Sequence, residues 1–146
     1  MGQSRLVRWN EVEAILKEPG DSLTVMNFWA TWCKPCVAEL PHFEKVRLEM
    51  KEQPIRFFYI SLDFAEEQNK RLNPFISRKM PGARVWLLDE SDYNQWINKI
   101  EASWSGAIPA TLFFQQSTGK RIFASGEMSE DKLRHEIQSF FRLTKQ

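Results

Sequence analysis

Leu23-Thr24-Val25-Met26-Asn27-Phe28-Trp29-Ala30-Thr31-Trp32-Cys33-Lys34-Pro35-Cys36 is the stretch on which the reading of this chain turns. Its first seven residues are an apolar run flanked by turn residues and too short for a lone helix. They predict a buried strand over Leu23–Trp29. A helical pattern follows from about Lys34 to Met50, with apolar Val37, Leu40, Phe43 and Val46 at spacings of three. Between strand and helix stand both cysteines of the protein, Cys33 and Cys36. Two cysteines placed at random in such a chain fall three apart roughly 1% of the time, and Cys-x-x-Cys at a strand-to-helix junction is a redox signature.

The chemistry follows from the spacing. Residues three apart on a helix share a face, so the two sulfurs can meet at disulfide distance. Cys33 falls at the helix start, where unpaired N–H groups and the helix dipole stabilise a thiolate. With Lys34 beside it, its thiol is expected below the ordinary ~8.5. Cys36 lies one turn deeper, where burial keeps it protonated. Cys33 is therefore expected to form the mixed disulfide and Cys36 to resolve it. Pro35 suits the first turn, where its missing N–H costs nothing. Zinc would need two further ligands, and His42 and His135 fall on separate predicted helices. Covalent haem attachment would need His directly after the second cysteine, where Val37 stands. The expectation is a redox-active Cys33–Cys36 disulfide with no other cofactor and no metal.

At 146 residues the chain suits one domain, 1–146. Apolar residues make up 42% and aromatics 13%, enough for a dense core. A net charge of +1 argues against nucleic acid or an anionic membrane as partner. Lys70-Arg71 and Arg78-Lys79 read as one solvated helix face. No apolar run approaches the ~20 residues of a membrane span. The polar start, Met1 to Arg5, is not a signal peptide; it fits a cytoplasmic start or a domain whose leader or anchor has been removed.

The remaining pattern predicts further elements. Trp9-Asn10 opens a capped helix through Lys17, stopped at Pro19-Gly20. Pro41 should kink or restart the helix after the cysteines. Ile55–Leu62 reads as a central strand and Asp63 to about Lys79 as a helix, bent at Pro74. Arg84–Leu88 is a strand, Tyr93 to about Ala102 a helix, and Ala110–Phe114 with Lys120–Ser125 a hairpin. Ser129 caps a last helix carrying Leu133, Ile137, Phe140 and Phe141. This order implies an α/β fold, a mixed sheet with helices on both faces.

Asn27-Phe-Trp-Ala-Thr-Trp-Cys-Lys-Pro-Cys-Val-Ala-Glu-Leu-Pro41 resembles the TlpA/ResA-like branch of the thioredoxin superfamily, and Gly106-Ala-Ile-Pro-Ala-Thr111 resembles that superfamily's cis-proline loop. The resemblance implies a thioredoxin fold with a central αβ insert, here between Leu62 and Gly106. It also implies a thiol–disulfide oxidoreductase with Cys33 as nucleophile and Cys36 as resolving thiol. By the same resemblance Pro109 is cis, and Ile108 offers its backbone to an extended substrate peptide. Ordinary thioredoxins carry an Asp where this chain has Asn27, which cannot titrate. The branch's Glu maps to Glu39, a candidate acceptor for the Cys36 proton. Trp29 is expected to pack beneath the site, and Trp32 to stand exposed beside Cys33 as a docking surface, together with Pro35. Implied partners are protein thiols or disulfides and a membrane thiol transporter as electron donor. The implied setting is periplasmic or otherwise extracytoplasmic, with the cytoplasm second. A thioredoxin-fold peroxidase and a non-catalytic binding domain are the alternatives.

Overall fold

A computed structural model of the chain describes residues 3–141. Among the described residues six strands form one sheet: β1 (Arg5–Val7), β2 (Leu23–Trp29), β3 (Ile55–Ser61), β4 (Val85–Leu88), β5 (Ala110–Gln115) and β6 (Arg121–Ser125). Their order is β1-β4-β3-β2-β5-β6. The first four pair in parallel, while β5 runs antiparallel to both β2 and β6. All of β2 is buried, as befits a central strand covered on both faces. Its register sets Trp29 beside Ser61 of β3 and Asn27 beside Thr111 of β5.

Among the described residues five α-helices cover the sheet: α1 (Trp9–Lys17), α2 (Lys34–Glu49), α3 (Asn73–Lys79), α4 (Ile97–Ile100) and α5 (Glu130–Ser139). Side chains alternate across a strand, and β2 thereby divides the core. Val25 and Trp29 face Phe43 of α2, Ile76 of α3 and Ile137 of α5. Met26 and Phe28 face Val12 of α1 and Ile100 of α4 on the other side. Each such buried side chain contributes ~1.5–3 kcal/mol of transfer free energy. The expected mixed sheet with helices on both faces is what the chain forms. Among the described residues no helix is long and apolar enough to cross a membrane.

Several local expectations need correction. β1 was not anticipated; it is three residues long and exists by pairing with β4, Leu6 opposite Leu87. The cap of α1 is Arg8 rather than Asn10, and the Arg8 N–H donates to Glu11 at 3.0 Å. Pro41 does not interrupt α2, which runs unbroken from Lys34 to Glu49; packing of Leu40, Phe43 and Val46 outweighs the one lost backbone bond. The region Asp63–Lys79 is not one helix. It is a 3₁₀ turn at Ala65–Glu67, a wide π turn at Gln68–Leu72, then α3. Pro74 cannot donate to a preceding carbonyl, and the Asn73 N–H reaches five residues back to Gln68 instead. The predicted helix from Tyr93 to Ala102 reduces to a 3₁₀ turn, Tyr93–Gln95, and the single turn α4.

Candidate active site

β2 ends at Trp29, and Ala30-Thr31-Trp32 carries the chain to the start of α2. Cys33 is the helix cap, with extended backbone. It is joined to Cys36 by a disulfide with the Cα atoms 5.2 Å apart. The Cys36 N–H donates to Cys33 Sγ at 3.3 Å, the free-donor geometry that would also hold a thiolate. Cys33 retains 6% of its surface and Cys36 none. The two sulfurs therefore differ in access: one sits at the rim, the other is sealed. Lys34 and Pro35 are exposed in the first turn.

The opposite wall comes from the loop before β5. The Ile108–Pro109 bond is cis, Pro109 is buried, and the Ile108 carbonyl oxygen lies 3.8 Å from Cys33 Sγ. Trp104 is a core residue whose indole N–H donates to the Ala107 carbonyl at 2.8 Å, holding this loop. Beneath the disulfide Trp29 is fully buried and packs on Phe75 at 5.5 Å between ring centres. Trp32 stands out at 53% exposure.

Glu39 lies one helical turn beyond Cys36, and both are fully buried. Its carboxylate accepts from Asn27 Nδ2 at 2.8 Å and from the Met128 N–H at 3.0 Å. Burial pushes its pKa up to about 7; those two hydrogen bonds pull the other way, and Glu127 adds to the rise. The site thus holds, one helical turn from Cys36, a carboxyl group whose protonation changes near neutrality. Asn27 also donates to Thr111 Oγ1 at 3.1 Å, so Asn27 joins β2, α2 and β5, and Glu39 extends the network to Met128, just before α5.

Three residues of this arrangement went unread in the sequence. Thr111 and Met128 touch the network only through tertiary packing, at sequence separations of 84 and 89. Asp63 is 4% exposed and accepts from the Thr31 N–H at 3.2 Å, the Thr31 hydroxyl at 2.6 Å and the Ser61 hydroxyl at 2.6 Å. It ties the loop that delivers Cys33 to the end of β3. Its one legible signal is position: a carboxylate just past the C-terminal end of a parallel strand, where α/β sheets set their sites.

The family model described as AhpC/TSA matches residues 8–118. The chain belongs to the AhpC/TSA family. Among its relatives, the thiol-disulfide oxidoreductase ResA of Halalkalibacterium halodurans is 38% identical over 82% of this chain. ResA of Oceanobacillus iheyensis is 45% identical over 29% of it. This AhpC/TSA-family chain spans 61% and 22% of the lengths of those two relatives. A thioredoxin-related protein from Neisseria meningitidis serogroup B superposes with a TM-score of 0.72 at 21% identity, covering 86% of this chain and 90% of that one. The fold is the thioredoxin fold, and the resemblance to ResA-like proteins read from the cysteine motif holds across most of the chain.

Proposed function

We propose that this chain is a thiol–disulfide oxidoreductase that exchanges disulfides with protein partners, working outside the cytoplasm as a reductant, for example in cytochrome c maturation or envelope thiol homeostasis. The observation that carries the exchange chemistry is the unequal burial of the two sulfurs, 6% against 0%, at the start of one helix. The extracytoplasmic setting and a membrane thiol transporter as electron donor follow the resemblance to the ResA-like branch.

In the reduced protein the Cys33 thiolate attacks one sulfur of the partner's disulfide. A Cys33–partner bond forms, the partner's own S–S bond breaks, and its second sulfur leaves as a thiolate. Cys36 then passes its proton to the Glu39 carboxylate and attacks Cys33 Sγ. The Cys33–Cys36 bond forms and the partner's first sulfur leaves as a thiolate. Two electrons have moved to the partner, and a donor dithiol returns them for the next cycle. The Ile108 carbonyl, 3.8 Å from Cys33 Sγ, is available to an extended peptide lying beside Pro109. Trp32 supplies exposed aromatic surface next to the reacting sulfur.

Cys36→Ser tests the sequence of steps, because it removes the resolving thiol and keeps the attacking one. Incubated with a disulfide-containing protein, the variant is expected to accumulate a covalent adduct that dithiothreitol releases, seen on non-reducing gels and by mass. Absence of an adduct would overturn the reading. Absence together with rapid peroxide consumption by the wild type would favour the peroxidase alternative.

A further inference from the structure

Beyond the C-terminal ends of β3 and β4 lies a cleft of about 390 Å³, with Leu62, Phe64, Leu88 and Tyr93 in its walls. Four carboxylates line it, those of Asp63, Glu66, Asp89 and Glu90, and neither lysine nor arginine does. Arg8 pairs with Glu90 at 3.0 Å and offsets one charge. Asp63 is buried, and its carboxylate is taken up by Thr31 and Ser61, so Glu66 and Asp89 set the charge of the cleft. The cleft adjoins the disulfide loop directly, because its wall residue Asp63 is the acceptor for the Thr31 N–H and hydroxyl. Thr31 precedes Cys33 by two residues, which is ~7 Å of extended chain.

Two further observations say what fits there. The first is apolar. The exposed large hydrophobic side chains include Phe64 at 71%, Trp32 at 53% and Tyr93 at 38%. Phe64 and Tyr93 line the cleft, and Trp32 follows Thr31 in the loop. The second is charge segregation. The whole chain carries only +1, yet the cleft near the starts of β3 and β4, at the opposite end of the sheet, is lined by Arg47, Lys51, Arg56 and Arg84. The two clefts thus differ in the charge of their linings, although Arg47 pairs with Glu44 and Arg56 with Glu18, and the acidic cleft is the one beside the disulfide loop. Such a field draws a basic partner in disulfide-first and opposes an acidic one.

We propose that this cleft receives a segment of the protein partner that carries Lys or Arg next to an apolar side chain, within about four residues of the reacting cysteine. The proposal rests on the exchange chemistry given above and adds the partner's character to it. The cationic group would meet the carboxylates and the ring faces of Tyr93 and Trp32, and the apolar group would cover Phe64.

The test uses two synthetic peptides, each with one cysteine held as a mixed disulfide with 2-mercaptoethanol. One has Lys-Leu flanking the cysteine and the other Glu-Leu. The reduced protein is mixed with each, and the second-order rate constants are compared. A basic-over-acidic ratio of about tenfold is expected at low ionic strength, falling towards one in ~0.5 M salt. The double variant Glu66→Gln, Asp89→Asn is expected to reduce the ratio severalfold, and Glu66→Lys to reduce it independently. A wild-type ratio near one, or a ratio unchanged in both variants, would overturn the proposal while leaving the exchange chemistry standing. Failure of both peptides to exchange would instead overturn the exchange reading itself.

Discussion

Glu39 receives two hydrogen bonds and yet holds its proton to about pH 7, because it is sealed from water. Raising the pKa from 4.5 to about 7 costs the ionised form about 3 kcal/mol. The sign of the stability effect follows. The folded state prefers the protonated carboxyl, so this contribution is full below pH 4.5 and is lost as pH rises through about 7. Wild type should therefore lose stability relative to Glu39→Gln across that window, by about 3 kcal/mol, and parallel urea unfolding curves at several pH values check it. The rate of mixed-disulfide resolution should rise through the same range in wild type and lose that limb in the variant. At this scale legibility divided by distance along the chain. Cys33, Cys36, Glu39 and Asn27 lie within thirteen residues; spacing exposes the two cysteines, and the family resemblance points to Asn27 and Glu39. Thr111 reaches Asn27 because β5 pairs with β2, and Met128 reaches Glu39 because the segment before α5 folds back onto α2. No local pattern records that.

The elements that were legible are those whose apolar pattern is long and repeated. β2, β3, β5 and α5 follow their periodicities, and Ser129 caps α5 with its hydroxyl accepting from the Lys132 N–H at 3.1 Å. β1 was invisible because three residues carry no period, and its pairing with β4 is supplied by the rest of the fold. The stretch from Asp63 to Lys79 misled because its composition is helical throughout, whereas Pro74 and the anchoring of Asp63 force separate turns. That anchor gives a prediction at the scale of the loop. Asp63→Ala leaves the Thr31 N–H and the Thr31 and Ser61 hydroxyls without their acceptor. A buried donor left unpaired costs ~1–3 kcal/mol, so urea unfolding should show a loss of about 2 kcal/mol, and Asp63→Asn, which keeps one acceptor oxygen, a smaller one. Equal stability of Asp63→Ala and wild type would show that the loop is held by other contacts.

Over the whole molecule, the sheet does two things for the disulfide. It buries Cys36, in the first turn of α2, in the same core as Trp29 and Phe43, and it leaves Cys33 at the rim with the Ile108 carbonyl opposite. The asymmetry needed for attack at one sulfur and resolution at the other is thus a property of the fold rather than of the four-residue motif. The motif named the chemistry, element order alone gave a mixed sheet with helices on both faces, and the family resemblance made it a thioredoxin fold. The acidic cleft, by contrast, draws on the turns after β3 and β4, which carry no shared local signature.

The claim at the centre is that Cys33 is the attacking sulfur of a disulfide exchange. Reduction of insulin by the dithiothreitol-fed protein, followed as turbidity, tests it most directly. Wild type should accelerate the reaction, and Cys33→Ser, folded as judged by circular dichroism, should fall to the rate of dithiothreitol alone. Retention of wild-type acceleration by Cys33→Ser would contradict the account.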